Sequence, residues 1–344
     1  TRCFYADNGS SAIEVALKMS YHAWRNQGYP EKTLFITLEN SYHGETLGAL
    51  AVGDVPLYRE TYAPLLMQAI RVQSPDAYFR EPGVTAEDHA RLCFEAMEAT
   101  LARHAEMTAA VIVEPLVQCA GGMRMYHPVY LTLLREACDR HGVHLIADEI
   151  AVGFGRTGTL FACEQGEMTP DFLCLSKGLT GGYLPLSATL TTSTIYDAFY
   201  ADYAEGKAFL HSHSYTGNAL ACSVALASLS LFDRDDVLAS NIEKARLMHQ
   251  SVAELEGHPH VGEIRQQGMI LAIEMAKDPH RKIPYPSQDR IGLKVYREAL
   301  KQGVLLRPLG NVIYFMPPYV IGPEEIQKMT DAALAGIHLA TQKD

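Results

Sequence analysis

Short apolar runs rich in Val, Ile and Leu alternate with stretches of helical periodicity along most of the chain, and this alternation limits the fold more than any other feature. Strands separated by helix-length connections pair in parallel, with the crossover helices packed on the faces of the sheet. The strand candidates are residues 34–38, 109–114, 143–147, 172–175 and 187–191; the helix candidates are 11–27, 86–104 and 128–141. The last of these opens with Pro128 and stops at Gly142, the usual punctuation of a helix. Residues 217–256 read as two helices in succession, and a mixed run follows at 264–274, 290–302, 304–307, 312–316 and 324–339. The class is therefore α/β. A large, mostly parallel sheet with helices on both faces is expected over residues 1–232, and a smaller α+β domain over 233–344.

The 344 residues are 48% hydrophobic and 20% charged, ordinary usage for a globular chain of about two domains. Lys and Arg number 29 against 40 Asp and Glu, a net charge of −11 with no basic block, which argues against nucleic acid and anionic membranes as partners. The apolar stretches, such as 109–113 and 219–232, are too short or too interrupted to span a bilayer. The seven cysteines are odd in number, widely spaced and mostly set in apolar strings, and read as reduced, buried thiols of a cytoplasmic protein. The chain opens at Thr1 and runs directly into strand-like residues 3–6 without a signal-peptide pattern. The expectation is that a natural N-terminal segment precedes it.

The strand at 143–147 ends in Asp148 and Glu149, and the strand at 172–175 ends in Ser176, Lys177 and Gly178. An acid and a lysine thus fall at the carboxyl ends of strands, where open α/β sheets bind ligands. A lysine among Leu173, Leu175 and Leu179 should be partly desolvated, which lowers its pKa from about 10.4 and frees the amine to attack a carbonyl. Asn8, Gly9, Ser10 and Ser11 precede an amphipathic helix, so they form either a phosphate cradle at the helix N-terminus or a plain cap with Ser10 or Ser11 closing the turn and Glu14 completing a capping box. A second hydroxyl-rich turn, residues 211–218, also leads into a helix. A lysine, an acid, two phosphate-type loops and Tyr42 as a ring to stack match what pyridoxal phosphate requires.

Residues 145–158 (LIADEIAVGFGRTG), followed by Pro170-Asp171 and Ser176-Lys177-Gly178, resemble the signature of the class III aminotransferases. That resemblance implies a fold-type I enzyme. Residues 114–128 (EPLVQCAGGMRMYHP), 160–164 (LFACE) and 314–319 (YFMPPY) resemble the branch of the family that acts in biotin biosynthesis, and the similarity runs nearly from end to end. It implies transfer of an amino group from S-adenosylmethionine, or in some relatives lysine, to 7-keto-8-aminopelargonate. By the same resemblance, Lys177 is the Schiff-base lysine that shuttles the proton, Asp148 pairs with the pyridinium, Tyr42 stacks on the ring and Glu114 lies close to the cofactor. Gly9 and Ser10 hold the phosphate from one subunit of a homodimer, with His213 and Ser214 reaching it from the other. Arg307 grips the substrate carboxylate, and Ser212 and Tyr314 line the same pocket. The loop His211-Ser212-His213-Ser214 and Cys119 depart from the pattern familiar in bacteria. Other class III ω-aminotransferases and a non-catalytic scaffold of the same fold are the alternatives.

Residues 153–158 also match G-x-G-x-x-G, but an acid pair precedes them and residues 157–166 lack the pattern of the helix that a dinucleotide fingerprint must open. The histidine pairs His211/His213, His141/His144 and His258/His260 have no nearby Cys or carboxylate at zinc spacing. No metal is expected.

Overall fold

The computed structural model describes residues 1–342. Its main sheet is built from β1 (Arg2–Ala6), β2 (Leu34–Leu38), β3 (Ala69–Val72), β4 (Thr108–Val113), β7 (His144–Asp148), β8 (Phe172–Leu175) and β9 (Ser187–Thr191), after a small hairpin of β5 (Val117–Gln118) and β6 (Arg124–Met125). The spatial order is β1-β9-β8-β7-β4-β2-β3. From β8 to β3 every pairing is parallel, and β9 is antiparallel to both β8 and β1. β9 is thus the one reversed strand, and β1 points the same way as the parallel five.

Strand alternation divides the side chains between two layers. Val111, Val113, Leu145 and Ala147 face the helices Ala86–His104 and Val129–His141 and pack with Met97, Leu101, Leu131 and Leu134. Ala110, Ile112, Ile146 and Phe172 face the opposite way, toward Ala12, Ile13 and Ala16 of the helix Gly9–Asn26. A second sheet carries β10 (Val261–Gln267), β11 (Ile270–Asp278), β12 (Ile283–Pro284) and β13 (Val312–Phe315). Its core joins Ile273, Phe315 and Met275 to the helices Ile291–Lys301 and Pro323–Thr341.

Several sequence expectations shift. Within the mixed run, residues 264–274 fall in the β10–β11 hairpin, turned at Gly268 with φ +56°. Residues 304–307 form no regular element; the segment connects the helix Ile291–Lys301 to β13 and buries only Leu306. β3, the β5–β6 hairpin and β12 were not foreseen. The thiols are free, but Cys3 is exposed and Cys222 half-buried. Among the described residues no helix is long and apolar enough to cross a membrane.

Candidate active site

The carboxyl ends of the parallel strands converge on one cavity of about 250 Å³. Asp148 closes β7, Glu114 follows β4, Ser176 and Lys177 follow β8, and Tyr42, His43 and Gly44 lie in the segment after β2. Because β1 runs parallel to these strands, its exit brings Asn8, Gly9 and Ser10 to the same edge. This is the position at which open α/β sheets hold ligands.

Each side chain is held by a local reason. The Asn8 side chain, not that of Ser10 or Ser11, caps the helix Gly9–Asn26, its Oδ1 accepting from the Ser11 N–H at 3.0 Å. Glu14 forms no capping box and instead accepts from the Gly48 N–H at 2.7 Å. The first turn of this 18-residue helix, with Gly9 and Ser10, borders the cavity at its dipole's positive end. Asp148, almost fully buried, accepts from the Ile150 N–H at 3.1 Å and from His43 Nδ1–H at 2.7 Å. His43 Nε2 is buried without a hydrogen-bond partner. Glu114 accepts from the backbone N–H groups of Tyr42 at 2.9 Å and Cys119 at 3.1 Å. Burial pushes its carboxyl well above the usual carboxylate range, the charge of Asp148 adds to that, and the two N–H groups oppose it. The Tyr42 hydroxyl donates to Glu45 at 2.9 Å, and its ring lies 5.0 Å from that of Tyr58. Lys177 has φ +42°, an uncommon conformation for a residue with a side chain.

Lys177, Asp148, Tyr42, Gly9, Ser10 and Glu114 are thus brought together as a group. Lys177 differs from expectation in one respect: it is exposed and lines the cavity rather than lying buried among its leucine neighbours. Ser212, His213, Ser214, Arg307 and Tyr314 do not line this cavity. His213 stands 3.9 Å from Asp7, Ser212 and Ser214 are exposed, and Arg307 is exposed beside half-buried Tyr314. His43 is the site residue that sequence reasoning passed over. Residues 151–158 form consecutive turns without the helix a dinucleotide fingerprint opens. Arg156, from this segment, donates to the Pro317 carbonyl at 2.6 Å and lies 4.2 Å from the centre of the Tyr319 ring, and burial lowers its pKa.

The family described as aminotransferase class-III matches residues 1–335. An adenosylmethionine-8-amino-7-oxononanoate aminotransferase of Helicobacter pylori is 48% identical over 98% of this chain and 73% of its own length. Its counterpart in Geobacter sulfurreducens is 45% identical over 99% of this chain and 75% of its own. The solved aminotransferase of that name from Methanocaldococcus jannaschii superposes with a TM-score of 0.92 at 38% identity, covering 99% of this chain and 76% of that one. An amine transaminase from an uncultivated Pseudomonas species, solved with pyridoxal phosphate bound, gives 0.93 at 34% identity over 99% and 77%.

The residues present fit that cofactor by their chemistry. An exposed amine, a buried carboxylate fixed by an imidazole, a helix N-terminus with a serine hydroxyl, and an aromatic ring all border one cavity. They answer in turn to an aldehyde, a ring nitrogen, a phosphate and a ring face. From residues to fold to relatives, the same conclusion holds: this chain belongs to the class III aminotransferases, and its cofactor is pyridoxal phosphate.

Proposed function

We propose that the chain moves an amino group from S-adenosylmethionine to 7-keto-8-aminopelargonate (8-amino-7-oxononanoate), giving 7,8-diaminopelargonate in biotin biosynthesis. The observation that carries this is the contrast in likeness. Solved omega transaminases superpose as well, with TM-scores of 0.94, but at 27% and 28% identity, and an amine transaminase reaches 34%, whereas the relatives named for the biotin-pathway reaction reach 45% and 48% over nearly the whole chain.

When bound, pyridoxal phosphate supplies an electron sink beside the carbon that carries the amine. Lys177 Nζ takes the proton from that carbon and returns it. Asp148 keeps the proton on the ring nitrogen, and His43 Nδ1–H keeps Asp148 in place. Gly9 and Ser10 hold the phosphate at the helix N-terminus, Tyr42 covers one ring face, and Glu114 stands beside the cofactor. Arg307 receives the substrate carboxylate in a bidentate grip, with Tyr314 and Ser212 along the same path.

The working form in this reading is a cytoplasmic homodimer, with a cofactor-binding domain over 1–232 and a smaller domain from 233 onward. His213 and Ser214 then serve the phosphate of the partner subunit's site. Leu210, Tyr215, Leu220 and Leu226, each at least 69% exposed around that loop, support a covered face there.

The test is a half-reaction. Purified protein loaded with cofactor is mixed with 7,8-diaminopelargonate and, separately, with 4-aminobutyrate and β-alanine, and the visible absorbance is followed. The expected result is bleaching by the diamine alone, abolished in Lys177→Ala. Bleaching only by the ω-amino acids assigns the chain to another branch, and none at all favours a scaffold.

A further inference from the structure

The cofactor cavity is bordered on one side by Cys119 and Ala120, which belong to the tight turn between β5 and β6. Gly122 and Met123 in this turn both have positive φ, +105° and +52°, and their N–H groups donate to the Cys119 carbonyl at 3.2 Å and 2.9 Å. Cys119 in turn donates its own N–H to the Glu114 carboxylate at 3.1 Å. The placement of Glu114 therefore depends on what holds the turn. A side chain such as that of Met123 keeps a left-handed backbone only where its surroundings fix it.

The hold comes from the second sheet. Arg265 of β10 is almost fully buried. It donates Nε–H to the Met123 carbonyl and Nη2–H to the Gly122 carbonyl, each at 2.7 Å, and its Nη2 pairs with the buried Glu274 of β11 at 2.8 Å. Glu274 stands opposite Glu263 across the β10–β11 ladder, an arrangement of like charges that needs cations beside it. Arg80 takes Glu263 at 3.1 Å, and Arg265 takes Glu274. One guanidinium thus answers a carboxylate of its own sheet and, with its remaining donors, two carbonyls of the cavity turn. The planar fork of arginine serves these directions at once, which the point charge of a lysine ammonium does not.

We propose that Arg265, oriented by Glu274, is a positioning residue for the cofactor site: it holds the turn 119–123 and, through the Cys119 N–H, the Glu114 carboxylate. The effect on the cofactor rests on the place given to Glu114 in the proposed function; the hold on the turn does not.

Two variants test this. Arg265→Lys keeps a charge beside Glu274 but loses the fork. Arg265→Met combined with Glu274→Met removes the pair together, so that no buried charge is left alone and the fold is kept. The first readout, on cofactor-free protein, is labelling of each cysteine by iodoacetamide, followed by mass spectrometry. Cys119 is buried, and burial raises its thiol pKa, so it labels slowly while the turn is closed. Losing the charge-assisted hydrogen bonds should open the turn locally and speed Cys119 labelling about tenfold or more in the double variant, with a smaller rise in Arg265→Lys. Cys138 and Cys174, buried elsewhere, should change less than about twofold, because their surroundings stay closed. The second readout is the visible band of the cofactor-loaded protein, which should shift in wavelength in the double variant but not shift further when Glu114→Gln is already present. Unchanged labelling of Cys119, or an equal rise at all three cysteines as a merely structural role would give, overturns the proposal. If Cys119 alone opens and the band keeps its wavelength, the hold on the turn stands and it is the place of Glu114 beside the cofactor that is wrong.

Discussion

His43 shows how a single side chain can set the properties of its neighbour. Its Nδ1–H is the side-chain donor to the buried Asp148 carboxylate, and a hydrogen bond to a charged group is worth about 1.5–3 kcal/mol. Replacing it by Leu leaves Asp148 with only the Ile150 N–H. His43→Leu should therefore raise the dissociation constant for pyridoxal phosphate about tenfold or more, measured by absorbance titration, and His43→Gln should recover part of the loss. Unchanged binding in the Leu variant would show that Asp148 does not depend on the imidazole. Lys177 and Asp148 were legible in the sequence because each lies at or just beyond the end of a recognisable apolar strand, whereas Glu114 was named only through the family resemblance. His43 was not, although it adjoins Tyr42. Its meaning depends on β2 and β7 flanking β4, and strand order is not written in local spacing. Arg307 and the 212–214 loop were legible only by resemblance, and the single chain keeps them outside the cavity.

At the level of elements, the long helices were the most readable. The helix Ala86–His104 appears with the bounds its caps dictate: Thr85 accepts from the Asp88 N–H, and Arg103 and His104 sit in the last turn. The second sheet was less readable because its strands are short and defined by partners far along the chain. Residues 304–307 have strand-like composition but no neighbour to pair with, while the hairpin at Gly268 is fixed by tertiary contact. Met269 N–H donates to the Arg156 carbonyl at 2.9 Å, and a Cβ at Gly268 would stand 2.5 Å from the backbone of Thr157. The turn thus docks the second sheet on the segment that carries Arg156. Gly268→Ala meets both a left-handed φ and a backbone clash and should cost about 2 kcal/mol or more in urea unfolding. A loss below about 0.5 kcal/mol would mean that the two segments move apart freely.

For the whole molecule, two buried groups give stability opposite pH slopes. His144 stacks on Trp24 at 4.2 Å, and burial pulls its pKa down to about 4 from 6.5. Between those values the unfolded chain binds the extra proton, so this contribution is complete above 6.5 and is lost as pH falls toward 4. Glu149 accepts from the Ala162 and Cys163 N–H groups, yet burial still raises it to about 7 from 4.5. Here the folded chain keeps the proton, so stability falls as pH rises through that window. His144→Gln should remove the first slope, worth at most about 3 kcal/mol, leaving stability that declines from pH 4.5 to 6.5 relative to the wild type. Urea titrations across that range give the comparison, and parallel profiles would contradict it.

The reversal of β9 has a consequence beyond topology. It brings β1 back in the common direction, but at the margin of the sheet, where it pairs with β9 alone. The turn that carries Gly9 and Ser10 is therefore tethered on its N-terminal side to a strand of the kind that opens most readily in native-state fluctuations. An anion held by that turn must pull the strand closed, and a closed strand must by the same free energy tighten the hold on the anion. With Gly9 and Ser10 holding its phosphate, as proposed above, the cofactor would also act as a latch, fastening the border of the sheet that receives it.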